Sequence, residues 1–192
     1  MFHVKHLKYK QLIDKNMSIQ SLKDVVRNIS NFPIDGIEFK DITTLFQSPE
    51  CLRELSDILY EKYKDKGITM VVGIESRGFF MGPATALRLN AGFAPVRKPG
   101  KLPYKVLQES YTKEYGEDAI EIHADALNEN DVVLLHDDLL ATGGTMLAAY
   151  KLVKKMGVKK VYLNFLIELE KLEARKLFPE DLEVDSILKF DI

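Results

Sequence analysis

Two adjacent carboxylates, Asp137 and Asp138, stand just ahead of a run of small residues, Ala141, Thr142, Gly143, Gly144 and Thr145. Beyond that run, Met146, Leu147, Ala149, Tyr150, Leu152, Val153 and Met156 recur at helical spacing until Gly157 stops them. A small-residue loop entering a helix turns several backbone N–H groups towards one anion, and the helix dipole adds partial positive charge. Gly143 and Gly144 let the backbone come close to that anion. The loop therefore reads as a phosphate cradle. Carboxylates beside a bound phosphate repel it unless they meet hydroxyl groups or a metal, and the vicinal hydroxyls of a ribose with Mg²⁺ nearby satisfy both. A ribose 5-phosphate suits the whole pattern.

The elements that must position these groups follow from the apolar pattern. Residues 132–135 are a short run rich in β-branched side chains, as in a strand buried on both faces of a parallel sheet. The order strand, turn, helix occurs a second time. Residues 70–74 read as a strand, Glu75-Ser76-Arg77-Gly78-Phe79 as a turn, and Phe80, Met81, Ala84 and Leu87 as the lining of the next helix. A guanidinium at such a turn can clamp a pyrophosphate bidentately. Further strands are expected at 93–96, 161–167 and 184–190, with a short helix at 170–177. Near the start, Ile19, Leu22, Val25, Val26 and Ile29 predict a helix that stops before Pro33. Ser48 and Pro49 open another, with Leu52, Leu55, Ile58, Leu59 and Tyr63 inward and Gly67 at its end. Strands alternating with helices imply an α/β fold with a mostly parallel sheet, whose ligands lie beyond the carboxyl ends of the strands. Between them, Arg97-Lys98-Pro99-Gly100-Lys101-Leu102-Pro103-Tyr104 leads into two alternating patches, 106–111 and 119–123. These predict a two-stranded flap of the kind that serves as a lid.

The segment Asp137-Asp138-Leu139-Leu140-Ala141-Thr142-Gly143-Gly144-Thr145 resembles the signature of type I phosphoribosyltransferases, which bind 5-phosphoribosyl 1-pyrophosphate (PRPP). Its Leu-Leu-Ala-Thr-Gly-Gly-Thr wording is most similar to the adenine-specific branch. Gly-Ile-Glu-Ser-Arg-Gly-Phe is similar to that family's pyrophosphate loop, and Arg-Lys-Pro-Gly-Lys-Leu-Pro with Glu114-Tyr115-Gly116 to its catalytic lid. The resemblance spans about residues 18–190. It implies the family fold, with a mostly parallel sheet flanked by helices, a flexible two-stranded lid and a small N-terminal hood. It also implies transfer of the phosphoribosyl group from PRPP to adenine, giving AMP and pyrophosphate in purine salvage. On the matching positions, Asp137, Asp138, Ala141, Thr142, Gly143, Gly144 and Thr145 would hold the ribose phosphate, and Arg77, Lys98 and Lys101 the pyrophosphate. Glu38, Phe39, Lys40 and Leu139 would meet adenine, and Glu114 would take its proton, with Glu109 and Glu117 as nearby decoys. Mg²⁺ would arrive on PRPP near Asp137 and Asp138, with no metal site of the protein's own. The Glu75–Ser76 peptide would be cis, and the protein a homodimer.

Two positions depart from the family pattern. Lys40 stands where Arg is usual, and His136 where an aliphatic residue is usual; on the period-2 rule His136 points away from Asp137, as a core histidine would. The cradle does not itself read the base, so xanthine and orotate are the competing substrates. A DNA-binding regulator on the same fold is disfavoured, because residues 1–31 are too few and too little basic for a DNA-binding domain.

Composition agrees with these expectations. A chain of 192 residues, 46% hydrophobic, buries one good core, and 27 basic against 29 acidic residues leave a net charge of −2, with no field to draw nucleic acid or an anionic membrane. The single cysteine, Cys51, forms no internal disulfide and suits a cytoplasmic protein. Residues 1–16, which lack an apolar period, read as a disordered extension, and residues 17–192 as the enzyme domain.

Overall fold

The computed structural model describes residues 17–32, 34–113 and 116–192. The chain forms two compact units, the smaller ending at Asp57 and the larger running Ile58–Ile192. The expectations for residues 1–16 and for Glu114 lie outside the described residues.

In the smaller unit, Ser18 caps helix α1 (Ile19–Val25), its hydroxyl accepting from the Ser21 N–H at 3.0 Å. The helix is shorter than its apolar spacing predicted. Val26 is already extended, and Arg27–Ser30 forms strand β1, paired antiparallel with β2 (Glu38–Asp41). Val26 and Ile29 are β-branched, so the spacing read as a helix stripe serves a strand equally well once a hairpin partner supplies ladder hydrogen bonds. After α2 (Thr43–Gln47), α3 (Pro49–Tyr63) starts where expected, the Ser48 hydroxyl accepting from Cys51 N–H at 3.2 Å. Leu55, Leu59 and Tyr63 are buried as predicted, but Cys51 takes the inward place expected for Leu52, which is 38% exposed.

The larger unit is built on a five-stranded, wholly parallel sheet in the order β4 (Gly92–Val96), β3 (Met70–Ile74), β7 (Val132–Leu140), β8 (Lys160–Leu169), β9 (Val184–Phe190). Strand order runs outward in opposite directions from the β3–β7 pair, so a crevice opens beyond the carboxyl ends of those two strands. One face is covered by α5 (Gly144–Lys155), whose Met146, Ala149, Leu152 and Val153 pack with Val72, Ile74, Val133, Leu135, Leu163 and Phe165. α4 (Gly78–Leu89) meets the sheet through Gly78, Met81, Gly82, Thr85 and Ala86, leaving Phe80 half-exposed and Leu87 83% exposed. This reverses part of the predicted lining. A methyl at Gly82 would stand 2.6 Å from the Phe93 ring, so the helix approaches through its small residues and turns its large ones outward.

Three boundaries differ from expectation. β7 continues through Asp137 and Asp138 to Leu140, because its ladder with β8 persists to Leu140 opposite Glu168; the acids sit in a strand end rather than in a loop. The helix expected at 170–177 is two short 3-10 turns, Glu170–Leu172 and Ala174–Leu177, divided at Glu173, whose φ is +49°. The flap is confirmed and longer than its patches suggested, β5 (Val106–Lys113) pairing antiparallel with β6 (Gly116–His123). No helix among the described residues is long and apolar enough to cross a membrane.

Candidate active site

The carboxyl ends of β3 and β7 border a cavity of about 640 Å³, lined by Glu75, Ser76, Arg77, Arg97, Lys98, Lys101, Tyr111, Asp137, Asp138, Leu139 and Thr145, among others. A smaller pocket of about 100 Å³ lies over the loop after β7, lined by Asp137, Leu139, Ala141, Thr142, Gly143, Gly144 and Thr145. Three stretches far apart in sequence, 75–77, 97–101 and 137–145, are therefore brought to one place.

The loop after β7 has the strand–turn–helix geometry its residue types predict. Gly143 caps α5 with φ +80° and ψ −7°, a left-handed conformation that suits glycine, and its carbonyl accepts from Leu147 N–H at 2.9 Å. The chain thereby turns sharply from strand to helix, leaving the first N–H groups of α5 without helical partners of their own. Those N–H groups are the donors that an anion could meet.

The acid pair is under tension. Asp138 is 6% exposed and its carboxylate meets Arg77 Nε at 2.5 Å. Asp137 accepts from the Asp138 N–H at 2.9 Å, yet burial, and then the neighbouring Asp138 charge, push its pKa well above the usual carboxylate range. Hydroxyl groups brought by a ligand would relieve that cost. Arg77 is placed at the start of α4 by close packing: a methyl at Gly78 would lie 2.7 Å from the His136 carbonyl oxygen and 3.2 Å from Asp137 Oδ1. The Glu75–Ser76 peptide is cis, as the resemblance implied.

In the same cavity lining, Arg97 donates through Nε and Nη2 to the two oxygens of Glu75, at 3.1 and 3.3 Å, and through Nη1 to the Lys101 carbonyl at 3.2 Å. The Arg97 bonds hold the Glu75 carboxyl below its ordinary range. Lys98 N–H donates to Glu75 at 3.1 Å, and Gly100 N–H to Glu121 at 3.0 Å. Glu75, Arg97, Tyr111 and Glu121 were not among the residues singled out from sequence. Arg97 heads the very run read for Lys98 and Lys101, so its place in that run was the available signal.

His136 is buried, its Nδ1 2.9 Å from Asn164 Oδ1 on the neighbouring strand, and burial lowers its pKa to about 4. This agrees with its reading as a core histidine. Glu38, Phe39 and Lys40 follow one another on β2 of the smaller unit, where Phe39 meets Phe32 edge-on with centroids 5.2 Å apart. Of the decoys, Glu109 forms an ion pair with Lys155 of α5.

The family described as "Phosphoribosyl transferase domain" matches residues 41–188. The adenine phosphoribosyltransferase of Bacteroides thetaiotaomicron is 65% identical over 172 residues, covering 90% of this chain and 98% of that protein. Among solved structures, the adenine phosphoribosyltransferase of Rhodothermus marinus superposes with a TM-score of 0.84 at 49% identity, over 90% of this chain and 98% of that one. The enzyme of Saccharomyces cerevisiae, complexed with an imino-altritol bisphosphate and adenine, superposes with a TM-score of 0.83 at 38% identity, over 88% and 98%. With strand order, cradle and motifs in agreement, the chain belongs to the type I phosphoribosyltransferases and, within them, to the adenine phosphoribosyltransferases.

Proposed function

We infer that the protein transfers the 5-phosphoribosyl group of PRPP to adenine, forming AMP and releasing pyrophosphate, the reaction of purine salvage. The observation that carries this reading is the joining of a left-handed Gly143 cap, a strained acid pair and a basic wall around one cavity, in a chain 65% identical to a named adenine phosphoribosyltransferase.

In this reading the N–H groups of 141–145 hold the 5-phosphate, and Asp137 and Asp138 accept from the ribose hydroxyls. Binding requires Arg77 to leave Asp138 and turn to the pyrophosphate, where Lys98 and Lys101 join it. Their positive charge meets the charge that develops as the C1′–oxygen bond breaks and pyrophosphate departs with the electron pair. Adenine N9 forms the new bond to C1′, and the N7 proton passes to Glu114. Leu139, on the cavity wall, is assigned to one face of the base; the assignment of Glu38, Phe39 and Lys40 rests on motif wording alone. Closure of the β5–β6 lid would keep water from the cationic sugar.

The donor set fits a Mg²⁺ ion that brings most of its ligands with it. Asp137 and Asp138 border the cavity and offer the hard carboxylate oxygens such an ion takes. When bound on PRPP, the ion adds positive charge against the pyrophosphate. The half-exposed Phe80 and the exposed Leu87 on α4 offer an apolar face suited to a homodimer, and the lone Cys51 suits a cytoplasmic location.

The assignment of the base is tested at Glu114. Glu114→Gln should lower kcat by ~10²–10⁴-fold with little change in PRPP affinity, the range for a lost general base. Equal losses at Glu109→Gln or Glu117→Gln, with Glu114→Gln active, would remove the assignment.

A further inference from the structure

Glu121 belongs to lid strand β6, yet its bonds reach the loop that carries the two pyrophosphate lysines. Its N–H donates to the Arg97 carbonyl at 2.7 Å, and its own carbonyl accepts from the Arg97 N–H at 2.9 Å. Its carboxylate, 7% exposed as a residue, accepts from the Gly100 N–H at 3.0 Å. One residue thus grips the 97–101 loop at both ends, by main chain at Arg97 and by side chain at Gly100. The second grip depends on Gly100, whose φ of +75° turns the chain at that point in open space. A buried carboxylate is costly unless it meets donors, and the Gly100 N–H is such a donor.

The consequence lies at the cavity wall. Between the two grips stands Lys98, and directly after the second stands Lys101; both line the cavity, whereas Glu121 does not. Glu75 fixes the intervening Lys98 N–H and is itself neutralised by Arg97. We propose that Glu121 is a positioning residue for the pyrophosphate half of the reaction, holding the 97–101 loop so that Lys98 and Lys101 face the leaving group. Because it stands on β6, it also ties their placement to the lid. This rests on the assignment of the two lysines to pyrophosphate made above.

The test compares Glu121→Ala and Glu121→Gln in the full chain, alone and combined with Lys101→Ala, reading KM for PRPP, KM for adenine, pyrophosphate affinity and Tm. Glu121→Ala should raise the KM for PRPP about 10- to 100-fold, the equivalent of losing a hydrogen bond to a charged group. The KM for adenine should hold. Glu121→Gln keeps an acceptor oxygen at nearly the same volume and should recover most of the loss. In the Lys101→Ala background the added effect of Glu121→Ala should shrink, because the lysine it places is gone. Fully additive losses, or a fall in Tm with both KM values unchanged, would overturn the proposal and leave a purely structural acid. If Lys98→Ala and Lys101→Ala themselves leave PRPP and pyrophosphate binding intact, it is the lysine assignment that fails.

Discussion

Two glycines flank the acid pair, and the same added methyl should act on them in opposite senses. At Gly78 the new carbon would stand 2.7 Å from the His136 carbonyl oxygen, against an ordinary contact of about 3.4 Å. The start of α4 must therefore withdraw from β7 by about 0.7 Å, the difference of the two. Overpacking of that kind costs about 1–3 kcal/mol, which outweighs the ~0.4–1 kcal/mol that Gly→Ala returns through the unfolded chain. For a chain of this length each kcal/mol moves Tm by about 2–4 °C, so Gly78→Ala should melt several degrees lower. The displaced turn carries Arg77, and misplacement approaching 1 Å lowers kcat/KM by roughly 10- to 100-fold. At Gly144 the methyl meets nothing nearer than the Tyr111 ring at 3.8 Å, and φ is not in the left-handed region. Gly144→Ala should therefore keep or raise Tm by about 1–4 °C. It should nevertheless bind PRPP at least tenfold more weakly, because the methyl occupies space that the phosphate needs beside the backbone. Thermal melts with and without PRPP, alongside initial rates, separate the two cases. Wild-type PRPP affinity in Gly144→Ala would refute the cradle at that residue, and an unchanged Tm in Gly78→Ala would refute the close contact of α4 with β7.

Other outcomes follow from the same geometry. Asp137 has a folded pKa raised above its unfolded value, so ionising it destabilises the protein as pH rises through that range; Asp137→Asn should raise the ligand-free Tm at neutral pH by about 1–8 °C while weakening PRPP binding, and a lower Tm with intact binding would contradict both assignments. His136 has its pKa lowered from 6.5 to about 4, so stability should fall by ~3 kcal/mol as pH drops from about 6.5 to 4. His136→Leu should flatten that acid limb in urea titrations. It should also cost about 1–3 kcal/mol at neutral pH by leaving the buried Asn164 Oδ1 without the His136 ring nitrogen, and His136→Leu with Asn164→Leu should recover part of that loss. We propose that residues 1–16 lie outside the enzyme domain. A chain begun at Met17, whose N–H donates to Glu54 at 3.0 Å in the full chain, should then keep full activity and Tm, and a loss of either would assign the extension a role.

Much of the fold was legible because each element carries its own local signal. Residues 70–74 and 184–190 are strands whose apolar runs are bounded by turn residues, and structure and expectation coincide there. The turn at 141–145 was legible for the same reason, since small residues between an apolar run and a helical period mark a strand-to-helix turn. What stayed hidden depends on partners distant in sequence. Ile29 sits in a strand only because 38–41 pairs with it, and Leu87 faces outward only because Gly78 and Gly82 bring the other side of α4 to the sheet. Glu121 and Arg97 pair although they stand 24 positions apart in sequence, and no spacing rule joins them. The ladder that carries β7 through Asp137 and Asp138 is likewise a property of β8 as much as of β7.

The most direct test of the account is pyrophosphate release from PRPP by the purified full chain, measured with adenine, hypoxanthine, guanine, xanthine and orotate in parallel and with the nucleotide product identified in each case. The account predicts that adenine alone supports rapid release, with AMP formed in equal amount. Turnover with another base in preference to adenine, or PRPP binding without turnover on any base, would contradict it.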